Sequence, residues 1–300
     1  MDMRDEIRKL QELMEAADYV TDAPIATSVH LAMRLRKPLL IEGPAGVGKT
    51  EVAKVVARML GTNLIRLQCY EGLDASTALY EWNYQKQLLH IKLEEAGHNS
   101  RPMDEKEHEI FSEPFLLRRP LLQAITQESQ SPVLLVDECD RSDEEFEAFM
   151  LEVFSDWQVT IPEIGTIKAT HPPHVILTSN RTRELSDALR RRCLYLWIDY
   201  PSAEKETRII ARKVPGINAR LSREIAKFME TLRQVRLAKV PGVAETLDWA
   251  QALAALHADH LDEPVLTETL GCLLKDADDM KRFRAEVAKA GLGSFIPART

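Results

Sequence analysis

The sequence predicts an α/β fold, a parallel sheet with flanking helices that gives way to a smaller all-helical region. Three observations predict it. Strand-sized apolar runs alternate with stretches of helical periodicity over the first two thirds of the chain, as β-strands joined by crossover helices do. A glycine-rich octapeptide, Gly43 to Thr50, falls between one such run and the helical pattern that follows it. After Tyr200-Pro201 only helical patterns remain, which divides the chain into a domain over 1–200 and a helical domain with its tail over 201–300.

Taken in order, Ile7, Leu10, Leu13 and Met14 recur at helical spacing, and a second helix runs from about Ala23 to Arg36, where Pro38 breaks the pattern. Leu39 to Glu42 reads as a strand. A helix follows through Val52, Val55, Val56, Met59 and Leu60 and stops at Gly61, and Leu64 to Cys69 resumes as a strand. Tyr80, Trp82 and Tyr84 alternate like a hairpin strand or a core-packed segment, while the acid-rich stretch from Glu94 to Glu109 reads as a solvated insertion. Leu121 to Glu128 is helical and Val133 to Val136 a buried strand. Asp143 to Phe154 places Phe146, Phe149, Met150 and Val153 on one helix face, and Val175 to Thr178 and Leu194 to Ile198 are further strands. His171-Pro172-Pro173-His174 reads as a loop, because two prolines forbid a helix and no third metal ligand is close in sequence. Helices over about 203–213, 222–233, 245–258 and 267–274, then a helical tail from about Asp276, complete the chain.

Composition narrows the function. The 300 residues suffice for two domains. Lys and Arg number 39 against 47 Asp and Glu, a net charge of −8, so the basic excess needed to neutralise a nucleic-acid backbone is absent. With 45% hydrophobic and 29% charged residues the chain is not disordered. No apolar run approaches the roughly 18 residues that span a bilayer, and Asp2, Asp5, Glu6 and Glu12 stand where a secretory leader would be basic and then apolar. A cytoplasmic protein is expected. Cys69, Cys139, Cys193 and Cys272 are too widely spaced for a metal knuckle or a disulfide framework and read as reduced, mostly buried thiols.

Gly43-Pro44-Ala45-Gly46-Val47-Gly48-Lys49-Thr50 fits G-x-x-x-x-G-K-[ST] in the strand-to-helix context that a phosphate-binding loop requires. Its backbone N–H groups would close around a β-phosphate at a helix N-terminus. Lys49 would reach the β- and γ-phosphates of ATP, and the Thr50 hydroxyl would ligate Mg²⁺. Hydrolysis needs a second metal contact and a group that orients water. Asp137 and Glu138, at the end of the run Val133 to Val136, have the chemistry for these two tasks. Asn180, beyond the strand Val175 to Thr178, is a candidate for hydrogen bonding to the γ-phosphate or the water. Arg190, Arg191 and Arg192 stand together before the last strand, where at least one points at an anion.

These segments, in this order, resemble the AAA+ ATPases and, within them, the MoxR branch: Walker A (Gly43 to Thr50), Walker B (Leu134 to Glu138), sensor 1 (Asn180) and an arginine-finger segment (Ala188 to Cys193). The phrases Gln68 to Asp74 and Leu79 to Tyr84 are closer still to the CoxD-like accessory ATPases of aerobic carbon monoxide dehydrogenase. The resemblance implies a P-loop AAA+ domain with a helical lid and a homo-oligomeric ring, usually a hexamer. It also implies a von Willebrand factor A-domain partner, a chaperone-like role in maturing a client metalloenzyme, and an insertion near Trp82 that projects toward the ring pore. Arg192 is the expected finger, Arg191 the second choice and Arg190 a helix-surface residue. One departure stands out. The lid segment Pro241 to Thr246 carries no sensor 2 arginine, so either closure of the lid on the γ-phosphate is weak or another base such as Arg236 or Lys239 serves. Two other functions use the same loop, a small-molecule kinase and an ATP-gated regulatory binding module. A GTPase is disfavoured because no N-K-x-D segment exists.

Overall fold

The computed structural model describes residues 3–96 and 102–295. Two helices, α1 (Met3–Ala16) and α2 (Ala23–Leu35), precede β1 (Leu39–Glu42), α3 (Lys49–Leu60) and β2 (Leu64–Gln68). Next come α4 (Ala75–Leu79), β3 (Tyr80–Trp82), α5 (Tyr84–Ala96), α6 (Met103–Ile110), β4 (Leu116–Arg118), α7 (Pro120–Ile125) and β5 (Val133–Asp137). The chain continues through α8 (Glu144–Asp156), β6 (Gln158–Ile161), β7 (Gly165–Lys168), β8 (His174–Ser179), α9 (Asp187–Arg192) and β9 (Leu194–Trp197). It ends in α10 (Ala203–Lys213), α11 (Ala219–Leu232), α12 (Val243–Ala255), α13 (Glu263–Thr269) and α14 (Ala277–Ala290).

Five strands form one sheet in the order β2-β5-β8-β1-β9. β2, β5, β8 and β1 pair in parallel, with Gln68 opposite Asp137 and Glu42 opposite Ser179. The central strands β1, β5 and β8 are buried, mostly apolar runs, as in sheets covered by helices on both faces, whereas β2 and β9 alternate buried and exposed residues. Val133 to Val136 are fully buried, and Leu40, Leu134, Val136 and Leu177 belong to one core with Phe146, Met150 and Val153 of α8. Asp143 caps α8, its carboxylate accepting from the Phe146 amide at 2.8 Å.

By contacts the chain divides into two compact units. One comprises Thr27–Glu42 and Val56–Leu196 and holds the sheet but for Trp197; the other comprises Met1–Ala26, Gly43–Val55 and Trp197–Thr300. The second has its own apolar core, where Phe228 packs on Trp249, Phe283 and Phe295 with ring centroids 5.2, 5.9 and 6.4 Å apart. Within that unit α1 is tied to α10 by Arg208 to Glu15 at 2.7 Å.

The structure corrects several sequence expectations. The acid-rich stretch is helical where it is described, with Glu107 and His108 exposed: α5 extends to Ala96 and α6 follows from Met103, and residues 97–101 of that stretch lie outside the described ones. Gln87 of α5 is buried and donates to the Ile110 carbonyl at 2.6 Å, so the two helices pack. Trp82 ends β3, which pairs antiparallel with β4, and packs into the core against Phe111. Tyr84 is exposed at the start of α5 rather than part of the strand. His174 opens β8 instead of lying in a loop, and its pKa is lowered by burial and by nearby Arg36. Between α8 and β8 runs a hairpin, β6–β7, that the sequence did not reveal.

An ion pair sits inside the helical unit. The Arg233 guanidinium, at the end of α11, donates to both oxygens of fully buried Glu206 at 2.6 and 2.7 Å, and to the Pro241 carbonyl at 3.0 Å. Removing one partner leaves the other charge uncompensated in an apolar surround, so Glu206→Gln is expected to destabilise the protein by about 3 to 5 kcal/mol. Urea unfolding followed by circular dichroism measures this, and an unchanged midpoint would contradict it.

Candidate active site

The glycine loop starts at the residue after β1, and α3 begins within it at Lys49. Lys49 is buried, and its ammonium donates to the carbonyls of Gly43 and Pro44 at 2.8 and 2.6 Å, so the loop curls around its own cation. Thr50 is the second residue of the 12-residue α3, whose first-turn N–H groups and dipole favour an anion.

Helix α12 docks on this loop. The Val243 and Ala244 amides donate to the Gly46 carbonyl at 2.9 and 3.4 Å, and Glu245 accepts from the Gly242 amide at 2.8 Å. Gly46 has a φ of +75°, and a Cβ built on Gly242 would lie 2.8 Å from the Ala45 oxygen and the Gly46 Cα, so a side chain has no room there. At the place where the resembling family carries sensor 2, this chain has a backbone-to-backbone contact. Arg233, one helix earlier, is committed to Glu206, Pro241 and Thr246 and stacks on Tyr200 at 4.7 Å. Of the two proposed replacements, Arg236 is exposed and Lys239 donates its backbone amide to Asp279 at 2.9 Å.

The carboxylate pair lies at the end of β5. Asp137 is buried; one oxygen accepts from Thr178 of β8 and the other from Arg66 of β2, each at 2.5 Å. Glu138 follows with φ +54°, its amide donating to the same Thr178 hydroxyl at 2.9 Å. Its carboxylate accepts from Gln68 of β2 at 3.2 Å and pairs with Arg141 at 3.2 Å. Arg66, Gln68 and Thr178 escaped the sequence reading. Parallel pairing on both sides of β5 makes them partners, β2 setting Gln68 opposite Asp137 and β8 bringing Thr178 alongside from the other side.

Asn180 follows β8, its amide donating to buried Asp140 at 3.2 Å, and Asp140 also accepts from the Thr182 amide at 2.8 Å. In the arginine run, the residue expected on the helix surface is the one turned inward. Arg190 is half-buried and donates to Glu42 at 3.0 Å, where Tyr195 also donates at 3.1 Å and Arg181 stands at 3.8 Å. Arg191 is exposed. Arg192, also exposed, donates to the Leu151 carbonyl at 2.8 Å and the Ser155 hydroxyl at 2.5 Å at the end of α8. Burial pushes the thiols of Cys69 and Cys193 up to about 12 and that of Cys139 well above its ordinary value, so these cysteines are poor nucleophiles.

Residues 39–197 match the family model described as the ATPase family associated with various cellular activities. An uncharacterized protein of Staphylococcus epidermidis is 24% identical over 220 residues, covering 71% of this chain and 74% of its own length. A ClpA homolog protein of Fuscovulum blasticum is 39% identical over 79 residues, 24% of this chain and 10% of that one. Among solved structures, a point mutant of Thermotoga maritima RuvB is similar with a TM-score of 0.50 and 18% identity, over 96% of this chain and 77% of that one, a likeness of fold. No helix among the described residues is long and apolar enough to cross a membrane.

The α12 contact has a direct test. Gly242→Ala inserts a methyl group where the Ala45 oxygen stands 2.8 Å away, so the hydrogen bonds of Val243 and Ala244 to the loop should open. Their amide hydrogens are expected to exchange at least about tenfold faster; unchanged protection would show that the loop absorbs the methyl group.

Proposed function

Because this chain belongs to the ATPase family associated with various cellular activities, we propose that it hydrolyses ATP to ADP and phosphate and couples the cycle to remodelling a client protein. In this reading it is a cytoplasmic MoxR-type member, residues 1–200 forming the ATPase domain and 201–300 the lid. It works as a hexameric ring with a von Willebrand factor A-domain partner. The client is a molybdenum hydroxylase such as carbon monoxide dehydrogenase, matured by metal-cofactor insertion. The observation that carries hydrolysis is the carboxylate pair at the end of β5, where Asp137 is held from both sides and Glu138 is turned into a left-handed conformation with Gln68 on its carboxylate.

The roles follow from the chemistry of each group. The backbone N–H groups of Gly43, Ala45, Gly46, Val47 and Gly48 cradle the phosphates, with Pro44, which has no N–H to donate, shaping the loop, and Lys49 exchanges its loop carbonyls for phosphate oxygens. The Thr50 hydroxyl and the Asp137 carboxylate are the oxygen donors that suit Mg²⁺, and Arg66, whose side chain is half-exposed, is the cation that Asp137 exchanges for it. Mg²⁺ held by these two groups would supply positive charge against the charge that develops on the phosphate oxygens. Glu138 orients and polarises the attacking water, and Asn180 hydrogen-bonds the γ-phosphate or that water. With no arginine at the start of α12, the backbone bonds of Val243 and Ala244 to Gly46 support a lid that follows the phosphate loop directly.

Two measurements test this reading. Lys49→Ala should abolish ATP binding in calorimetry, whereas Glu138→Gln should bind ATP and release no phosphate, because an amide keeps the shape and cannot polarise water; normal turnover by Glu138→Gln would remove Glu138 from the mechanism. The second concerns Arg192, proposed to leave the end of α8 and reach a neighbouring subunit's nucleotide. A guanidinium so delivered stabilises the transferring phosphoryl group by roughly 4 to 7 kcal/mol, about 10³ to 10⁵ in rate. Arg192→Ala mixed with Lys49→Ala subunits should therefore regain turnover that neither shows alone. Absence of recovery in mixed rings would assign Arg192 to its own α8 contacts instead.

A further inference from the structure

We propose that His90, Glu94 and Glu109 form a binding site for a divalent transition-metal cation of the zinc class, joining α5 to α6. The three donor atoms lie within 4.8 Å of one another. The His90 Nε2 is 3.4 Å from a Glu109 oxygen and 4.0 Å from a Glu94 oxygen. His90 and Glu94 are four residues apart on α5 and so share one helix face, and Glu109 faces them from α6.

The imidazole nitrogen is the telling atom. Nε2 is shielded from solvent and has no hydrogen-bond partner, although two carboxylates flank it. No hydrogen bond joins the nitrogen to either carboxylate, and one imidazole nitrogen with two carboxylate oxygens converging on one another is the donor set a cation needs. Zinc binds imidazole nitrogen and carboxylate oxygen at about 2.0 to 2.2 Å, which sets tetrahedral donors about 3.3 Å apart. The His90–Glu109 separation already meets that spacing, and Glu94 must close by about 0.7 Å on His90 and by at most about 1.5 Å on Glu109, within reach of a side-chain rotation.

The surroundings hold the ligands in place. The His90 ring packs edge-on against Phe115 at 5.3 Å, and Gln87, one turn earlier on α5, anchors the helix pair through the Ile110 carbonyl at 2.6 Å. The side chains of His90, Glu94 and Glu109 are 31, 12 and 38% exposed, shielded yet reachable by an ion from solvent. One nitrogen with two carboxylates suits Zn²⁺, Mn²⁺ or Fe²⁺ better than the all-oxygen shells of Ca²⁺ and Mg²⁺. Three protein ligands leave a coordination position for water. The site uses none of the residues assigned to ATP.

Calorimetric titration of the full chain with zinc chloride, after removal of nucleotide and metal, tests the proposal on the parent and on His90→Ala, Glu94→Gln and Glu109→Gln. The parent is expected to bind one equivalent that each variant loses or binds at least tenfold more weakly, and zinc should raise the melting temperature of the parent alone. The two Glu→Gln variants keep size and shape, so they read the site even if His90→Ala folds poorly. Zinc uptake equal in number and affinity across parent and variants, or no uptake by the parent, overturns the site.

Discussion

A parallel sheet imposes one constraint on everything that follows: its strands all deliver their C-terminal ends to the same edge. In this protein β2, β5, β8 and β1 do so with Gln68, Asp137, Ser179 and Glu42. The next residues along the chain are then Cys69, Glu138, Asn180 and the first glycine of the loop. The central strands β1, β5 and β8 are almost wholly buried and largely apolar, so most polar chemistry starts at their ends. Groups far apart in sequence become neighbours through register alone, as Thr178 does for both Asp137 and Glu138.

The same edge gathers charge in a poorly solvated place, and the structure answers each charge with a partner. Glu42 has Arg190 and Tyr195; Glu147, fully buried, has the Arg183 guanidinium and the Ser186 amide; Asp140 has two backbone amides and a threonine hydroxyl. Such pairs add little net stability relative to apolar packing. They fix geometry instead, because an arginine that leaves its carboxylate strands a buried charge. That explains why one of three consecutive arginines is turned inward.

Sequence patterning makes the strands of the large sheet legible for a physical reason: most are short, mainly apolar runs that end at polar residues or a glycine turn, and for β1 that run, Leu39 to Glu42, is the strand itself. The phosphate loop was legible because its glycines and lysine serve a local backbone shape. Less could be read where meaning depends on distant partners. β6 and β7 are four-residue strands with alternate exposed positions, Gln158, Thr160, Thr166 and Lys168, which look like loop until they pair. Gln68 and Arg66 look like ordinary surface residues of a half-buried strand until Asp137 is placed opposite. The direction of Arg190 depends on where α9 rests, and three adjacent arginines point three ways around a helix whatever their order. The α5–α6 pair is hidden for a related reason, since a buried glutamine, Gln87, ties it together through the Ile110 carbonyl.

The left-handed backbone at Glu138 and Arg181, φ +54° and +58°, carries a consequence for the evolution and engineering of this chain. Both are non-glycine residues, one position beyond β5 and two beyond β8, and each holds a conformation that costs roughly 1 to 2 kcal/mol for a residue with a Cβ. Glycine would relieve that cost at either position while deleting the carboxylate or the guanidinium. Stability and chemistry thus compete residue by residue at this edge, and selection for thermal robustness alone would draw the sequence toward a more stable and less capable protein.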